Sequence, residues 1–361
     1  MSKSVLFIVN HEIVIFNFRK ELVVKLLDLG YMVYIASPKG NKIKLLVDMG
    51  CIHFDIDVNR HGKSIIQDIR LTKSYIKIIN KIKPSVVLTY TIKPNIYGGI
   101  AARLCKVPYI ANITGLGVAV EKKGILQKIT TLLYKLALSK VRIVFFQNME
   151  NMNYFVNNKV AVGRHILLPG SGVNLEHFEY INYPSEDFVQ FVFISRIMRE
   201  KGIDLYLETA KRIKEIYPKT IFHVCGFCEE NYVDILDEYQ KNNIIIYHGM
   251  LDDVRDILKV SHCIIHPSFY PEGLSNVLLE AAACGRPIIT TNRSGCKEVV
   301  HNNGFIVEVN DLEDLIGKTI EFINLPSSKK LEMSYFSRKI VEEKFDRSIV
   351  VNEYIKIISK L

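Results

Sequence analysis

Two doubly wound α/β domains are the architecture this 361-residue sequence predicts. Three observations predict it. Short, continuous apolar runs alternate with helical patterns along the chain, as parallel strands covered on both faces require. The rhythm breaks once, in the polar stretch FEYINYPSED at 178–187, and then restarts. The length suits two domains, and 48% hydrophobic residues suffice to fill two cores.

The first series opens with VLFIVN, followed by a helical pattern near Phe18–Leu29. YMVYIAS comes next, with a helix near Lys42–Met49, and then SVVLTY, VPYIANI and RIVFFQ. The second series runs FVQFVFIS, TIFHVC, NIIIYHG, HCIIHPS and RPIITT. The domains expected are 1–178, 179–345, and a last helix within 346–361 that can pack back on the N-terminal domain. Open α/β sheets bind ligands at the carboxyl ends of their strands, so two such sheets facing each other frame a cleft.

No run approaches the ~18 apolar residues of a membrane span. SKSVLFIVN turns polar too soon for a signal peptide and reads as a first strand. Seven scattered cysteines fit a reduced, cytoplasmic protein. The charge is lopsided: residues 1–170 hold 25 Lys+Arg and 9 Asp+Glu, a net +16, and residues 171–361 hold 22 and 29, a net −7. A basic half joined to an acidic half points to an anionic partner for the first, either nucleic acid or an anionic membrane surface.

The chemistry concentrates in PEGLSNVLLEAAACGRP at 271–287. HCIIHPSFY ends a strand, and a helix is expected to begin close to Gly273, where free N–H groups and the helix dipole favour an anion. Glu272 would repel a phosphate there unless it accepts hydrogen bonds from neutral hydroxyls. Glu280 lies ~12 Å further along a helix that rises ~1.5 Å per residue. A nucleoside diphosphate sugar has hydroxyls at both ends and charge between them, which matches that layout. SRIMREKGID opens a second turn, where Arg196 and Lys201 are cations placed to reach a diphosphate.

These residues resemble glycosyltransferase family 4, the retaining enzymes of the GT-B fold, through Glu272 and Glu280 within EGLSNVLLEAAACGRPIITTNRSGCKEVV and through the SRIMREKGID turn. NFRKEL, YTIKPNIYGGIAARL and ANITGLG resemble the subgroup that builds capsules, O-antigens and lipid-linked oligosaccharides. The resemblance implies two Rossmann-like domains facing across a cleft, with the donor in the C-terminal one and the acceptor in the N-terminal one. It implies that Arg196 and Lys201 hold the diphosphate, the backbone of Gly273, Leu274 and Ser275 meets the phosphates, Glu280 holds the ribose and Glu272 a hydroxyl of the donor sugar. GMLDD at 249–253, with Met250, would lie by the base. Many members touch the donor sugar with a histidine of the N-terminal domain. Here that region reads ANITGLG, with Thr114, and His11 after the first strand is the alternative.

The function expected is transfer of a hexose or N-acetylhexosamine from a UDP-sugar to a polyprenyl-diphosphate-linked sugar, with no cofactor and no metal. UDP-N-acetylgalactosamine is a donor of the type such subgroups use. A UDP-sugar 2-epimerase of the same fold and a non-catalytic sugar-nucleotide- or polysaccharide-binding subunit are the alternatives. Nucleic-acid binding would rest on charge alone, so none is expected.

Three further signals stand outside these motifs. CGFC at 225–228 has thioredoxin spacing but sits deep inside the second domain, where the family places a glycine-containing loop. Asp55 and Asp57 form a D-x-D that reads as a solvated strand edge. The segment 123–142 sets Leu126, Ile129, Leu133, Leu136 and Leu138 beside Lys128, Lys135 and Lys140, with Lys122 and Lys123 at its start. It reads either as a domain helix or as one lying on anionic lipid at the inner face of the cell membrane.

Overall fold

The computed structural model describes residues 3–58, 64–117, 120, 124–185 and 188–361. It divides into two compact units, one of Met1–Ser171 with Arg347–Leu361 and one of Gly172–Asp346. The division falls at 171/172 rather than at 178/179, so the described part of FEYINYPSED belongs to the second unit. Residues 173–178 pack on the second unit: the Val173 N–H donates to the Phe345 carbonyl and Arg338 to the Phe178 carbonyl, each at 2.8 Å, and Val173, Leu175 and Phe178 join its core. Fully buried Arg286 holds the stretch that follows, donating to the carbonyls of Ile181 and Asn182.

The first unit is a seven-stranded sheet of order β3-β2-β1-β4-β5-β6-β7. Its strands are β1 Ser4–Ile8, β2 Met32–Ser37, β3 Ile52–Asp55, β4 Val86–Tyr90, β5 Tyr109–Ile113, β6 Ile143–Phe146 and β7 His165–Leu167, all paired in parallel. Alternate residues of β1 feed two cores. Leu6 and Ile8 join the side covered by helices Ile65–Ile82 and Ile125–Ala137, and Val5 and Phe7 join the other. The helical pattern expected near Phe18–Leu29 is two helices, Ile13–Phe18 and Lys20–Asp28. They break at Arg19, which is buried against the Tyr90 and Tyr354 rings and leaves the helical backbone range at φ −137°.

The last helix, Arg347–Ile358, is part of this first unit. Val350, Val351, Tyr354 and Ile358 pack with Val5 and Phe7, and Arg347 donates to both oxygens of Glu21 at 2.9 and 3.0 Å. The Tyr354 hydroxyl donates to Asn112 Oδ1. Asn112 Nδ2 in turn donates to the Thr89 carbonyl at 2.9 Å, and Asn95 Nδ2 donates to the Asn112 carbonyl at 2.8 Å. The asparagines of KPN and ANI thus satisfy one another inside the unit, as buried amides must.

The second unit is a six-stranded parallel sheet of order β10-β9-β8-β11-β12-β13. Its strands are β8 Gln190–Ile194, β9 Ile221–Cys225, β10 Ile246–Tyr247, β11 Cys263–His266, β12 Ile288–Thr291 and β13 Gly304–Val307. The order reverses between β1 and β4 in one unit and between β8 and β11 in the other. At such switch points the loops diverge and leave a crevice at the carboxyl edge.

Candidate active site

At the second unit's switch point, the β8 loop carries Arg196 and Lys201 and the β11 loop carries Glu272. Two glycines bring neighbouring loops together. Gly202, at φ +81°, caps the helix Ile203–Ile216, and a Cβ there would collide with the Pro267 carbonyl after β11. Gly226, at φ +142°, faces the Ser195 carbonyl after β8 with equally little room. A backbone hydrogen bond from Phe269 to the Glu200 carbonyl, 2.9 Å, ties the β8 and β11 loops directly.

The cations converge on one ring. The Arg196 guanidinium lies 5.2 Å and the Lys201 Nζ 4.8 Å from the centre of Tyr270, a cation–π arrangement for both. Arg196 pairs with Glu229, and Lys201 pairs with Glu272. Burial, and then the charge of Arg196, push the Lys201 ammonium down to about 7, with Glu229 working in the opposite direction. His266 is buried and stands 3.4 Å from the Ser275 hydroxyl. Burial and the charge of Lys201 push it to about 3, so it is neutral at ordinary pH and adds no third cation.

The helix expected to begin close to Gly273 spans Asn276–Ala283, with Ser275 as its N-cap residue. Gly273, Leu274 and Ser275 form the turn before it. Glu272 is therefore off the helix, and the ~12 Å separation from Glu280, argued from helical rise, does not apply. The Leu274 side chain is core, which leaves its backbone for a ligand. A hydrogen bond of 2.7 Å from the Ser275 N–H to the Gly295 carbonyl holds the turn, and Glu298 accepts from the Gly295 N–H at 2.7 Å. Glu280 is half-buried on the helix. Met250 is exposed beside Gly249, whose carbonyl accepts from the Gly226 N–H at 2.8 Å.

CGFC is a brace. Burial pushes the Cys225 thiol up to about 12, far from a reactive thiolate. Phe227 and Glu229 exchange backbone hydrogen bonds with Ile197, at 2.9 and 3.1 Å, which locks the turn bearing Arg196. Sequence reasoning missed Tyr270 and Glu229: Tyr270 sits in HCIIHPSFY, a stretch already singled out, and Glu229 directly follows CGFC. No periodicity marks a loop aromatic as a platform.

In the first unit, His11 follows β1 at the switch point, its Nδ1 2.7 Å from the buried Glu12 carboxylate. Thr114 follows β5, and β4 lies between the strands these two follow. Two residues of that edge went unnoticed: Glu12, and Thr91 directly after β4. Thr91 is β-branched at φ +69°, and its buried hydroxyl has no hydrogen-bond partner among the described residues. Such backbone strain collects at functional sites. Asp55 is exposed and pairs with Lys39 at 3.5 Å, and Asp57 is exposed.

Residues 4–148 match the family model of glycosyl transferase 4-like domains, and residues 180–340 that of glycosyl transferases group 1. The chain belongs to these glycosyltransferases, and its fold is GT-B. It is 23% identical, over 96% of each chain, to the N,N'-diacetylbacillosaminyl-diphospho-undecaprenol alpha-1,3-N-acetylgalactosaminyltransferase of Campylobacter jejuni. It is 29% identical, over 71% of each, to the UDP-Gal:alpha-D-GlcNAc-diphosphoundecaprenol alpha-1,3-galactosyltransferase of Escherichia coli. A glycosyltransferase crystal structure from Rickettsia africae superimposes with a TM-score of 0.83 over 99% of this chain and 98% of that one, at 19% identity.

Proposed function

We propose that this glycosyltransferase moves a hexose or N-acetylhexosamine from a UDP-sugar to a sugar carried on polyprenyl diphosphate, with retention at the anomeric carbon. The observation that carries the reading is the pair of cations, Arg196 and Lys201, gathered over Tyr270 at the switch point. A guanidinium, and a lysine that a neighbouring diphosphate would hold protonated, suit such a leaving group better than any neutral group. Arg196 and Lys201 oppose its charge, and the Gly273–Ser275 backbone meets the phosphates. Glu280 takes the ribose, the loop at Met250 takes the base, and Glu272 takes a sugar hydroxyl. Once the donor binds, the diphosphate competes with Glu272 for Lys201 and frees the carboxylate for the sugar. The acceptor attacks on the face the diphosphate leaves, and that phosphate helps take the acceptor proton. The two cations make a metal unnecessary. The acceptor class follows the undecaprenyl-linked acceptors named for the relatives, and it holds the enzyme peripherally at the inner face of the cell membrane, where the net +16 of residues 1–170 suits an anionic surface.

The test is a donor screen with membrane extract as acceptor, in the presence of EDTA, read by the mass of the lipid-linked product. A gain of one sugar residue from a UDP-sugar is the expected result. Release of UDP and a 2-epimer from UDP-N-acetylglucosamine alone would make the chain an epimerase, and activity restored only by Mn²⁺ would overturn the metal-free reading.

A further inference from the structure

The helix Ile125–Ala137 is apolar on two sides. Thr130, Thr131, Tyr134 and Ala137 face the core of the first unit. On the outside, Ile125 is 79% exposed, Ile129 51%, Leu132 66% and Leu136 48%. Their spacing of four, three and four residues makes a single stripe along the helix, and Leu126 flanks it. The face expected from the sequence is corrected here: Leu138 is core and Leu133 half-buried, while Ile125 and Leu132 belong to the open stripe. Lys128 and Lys135 are exposed on the same helix, and Lys122 and Lys123 lie outside the described residues. A surface helix normally turns polar residues to water. An exposed apolar stripe of this length on a basic unit calls for something to cover it.

Where that helix ends, an open cavity of about 760 Å³ begins. It lies at the amino edge of β5 and β6, away from the carboxyl-edge loops. Arg103, Lys106, Lys140, Arg142 and Arg164 line it with Leu104, and no carboxylate is in its lining. None of the five is ion-paired among the described residues. Two are held in place by backbone: Arg103 donates to the Leu136 carbonyl at 2.8 Å and Arg164 to the Val141 carbonyl at 2.9 Å. The Leu136 carbonyl belongs to the last turn of the helix, so the basic cavity and the apolar stripe are parts of one continuous surface.

We propose that this surface is a docking site for an anionic phospholipid bilayer, with the stripe seated among the upper acyl chains and a headgroup phosphate in the cavity of Arg103, Lys106, Lys140, Arg142 and Arg164. It deepens the membrane placement proposed above, while sugar transfer to a detergent-dispersed acceptor does not depend on it. The charge complementarity selects the occupant. A protein partner for the stripe would leave five gathered cations unanswered, and a nucleic acid would leave the stripe in water. An amphipathic helix with lysines at its sides lies in the plane of an anionic interface. No helix among the described residues is long and apolar enough to cross a membrane.

The chain has no tryptophan, so a single one reports locally. Leu132→Trp in the full chain should blue-shift and be quenched by brominated lipid on phosphatidylglycerol-containing vesicles. It should do neither with pure phosphatidylcholine or with inorganic phosphate. Ile129→Ser with Leu132→Ser should abolish sedimentation with the anionic vesicles. Removing each cavity charge, as in Lys106→Gln or Arg142→Gln, should weaken partitioning about fivefold. UDP affinity should stay unchanged in all of these variants, which separates the outcome from any failure of the transferase reading. An unshifted Leu132→Trp on sedimented protein, or equal binding to neutral vesicles, would overturn the proposal. So would self-association lost in the Ser variants with no vesicle binding in the parent chain.

Discussion

At the scale of single residues, Lys201 is the most informative group. Burial holds its pKa at about 7 against the ordinary 10.5. Between those values the unfolded chain binds a proton that the folded one does not, so folding stability should rise with pH across that window. A diphosphate beside Lys201 raises its pKa again. UDP binding should therefore take up protons above pH 7, measurable by calorimetry in buffers of different ionisation enthalpy. No uptake would mean that Glu272 keeps the lysine charged throughout. Arg196→Ala should lower turnover at saturating donor by ~2.7–4 kcal/mol if the guanidinium acts as one preorganised group, and unchanged turnover would remove Arg196 from the reaction.

At the scale of elements, the helix Asn276–Ala283 separates two carboxylates that the sequence pattern sets on one rod. Glu272, in the loop, is assigned to the sugar, and Glu280, on the helix, to the ribose. UDP binding should accordingly weaken with Glu280→Gln and barely change with Glu272→Gln, while Glu272→Gln should lower turnover. The reverse pattern would turn the donor around. The β9 loop makes a different prediction. Gly226 at φ +142° touches the Ser195 carbonyl, so Gly226→Ala should cost ~1–3 kcal/mol in backbone strain. Denaturant titration should show the loss, and UDP affinity should fall with it, because the displaced turn carries Arg196.

At the scale of the whole molecule, the chain returns to its first unit for its last helix. Tyr354 is fully buried there and reaches Asn112. Tyr354→Ala should destabilise by ~3–5 kcal/mol, the usual cost of deleting a large buried aromatic. Scanning calorimetry should assign the loss to the transition of the first unit, while the transition protected by UDP keeps its midpoint. A shift of the UDP-protected transition instead would place the helix's contribution in the other unit.

The strands buried on both sides were legible because their apolar runs are continuous, as in VLFIV or FVFI. The edge strands β7 and β13 were not: they are half-exposed and short, so no run marks them. The family motifs likewise stand in the sequence as strings of glycine, glutamate and basic residues. Local order thus fixes which residues follow which strand, and that is enough to predict the sheets and to nominate Arg196, Lys201, Glu272 and Glu280. It does not fix which loops meet. That Arg196 and Lys201 share the ring of Tyr270, that CGFC braces the arginine rather than carrying redox chemistry, and that Leu132 faces water while Leu138 faces the core were decided by tertiary packing. A helix has a periodic pattern whichever side is buried, and a loop has no period at all, so only contacts between distant segments could settle them.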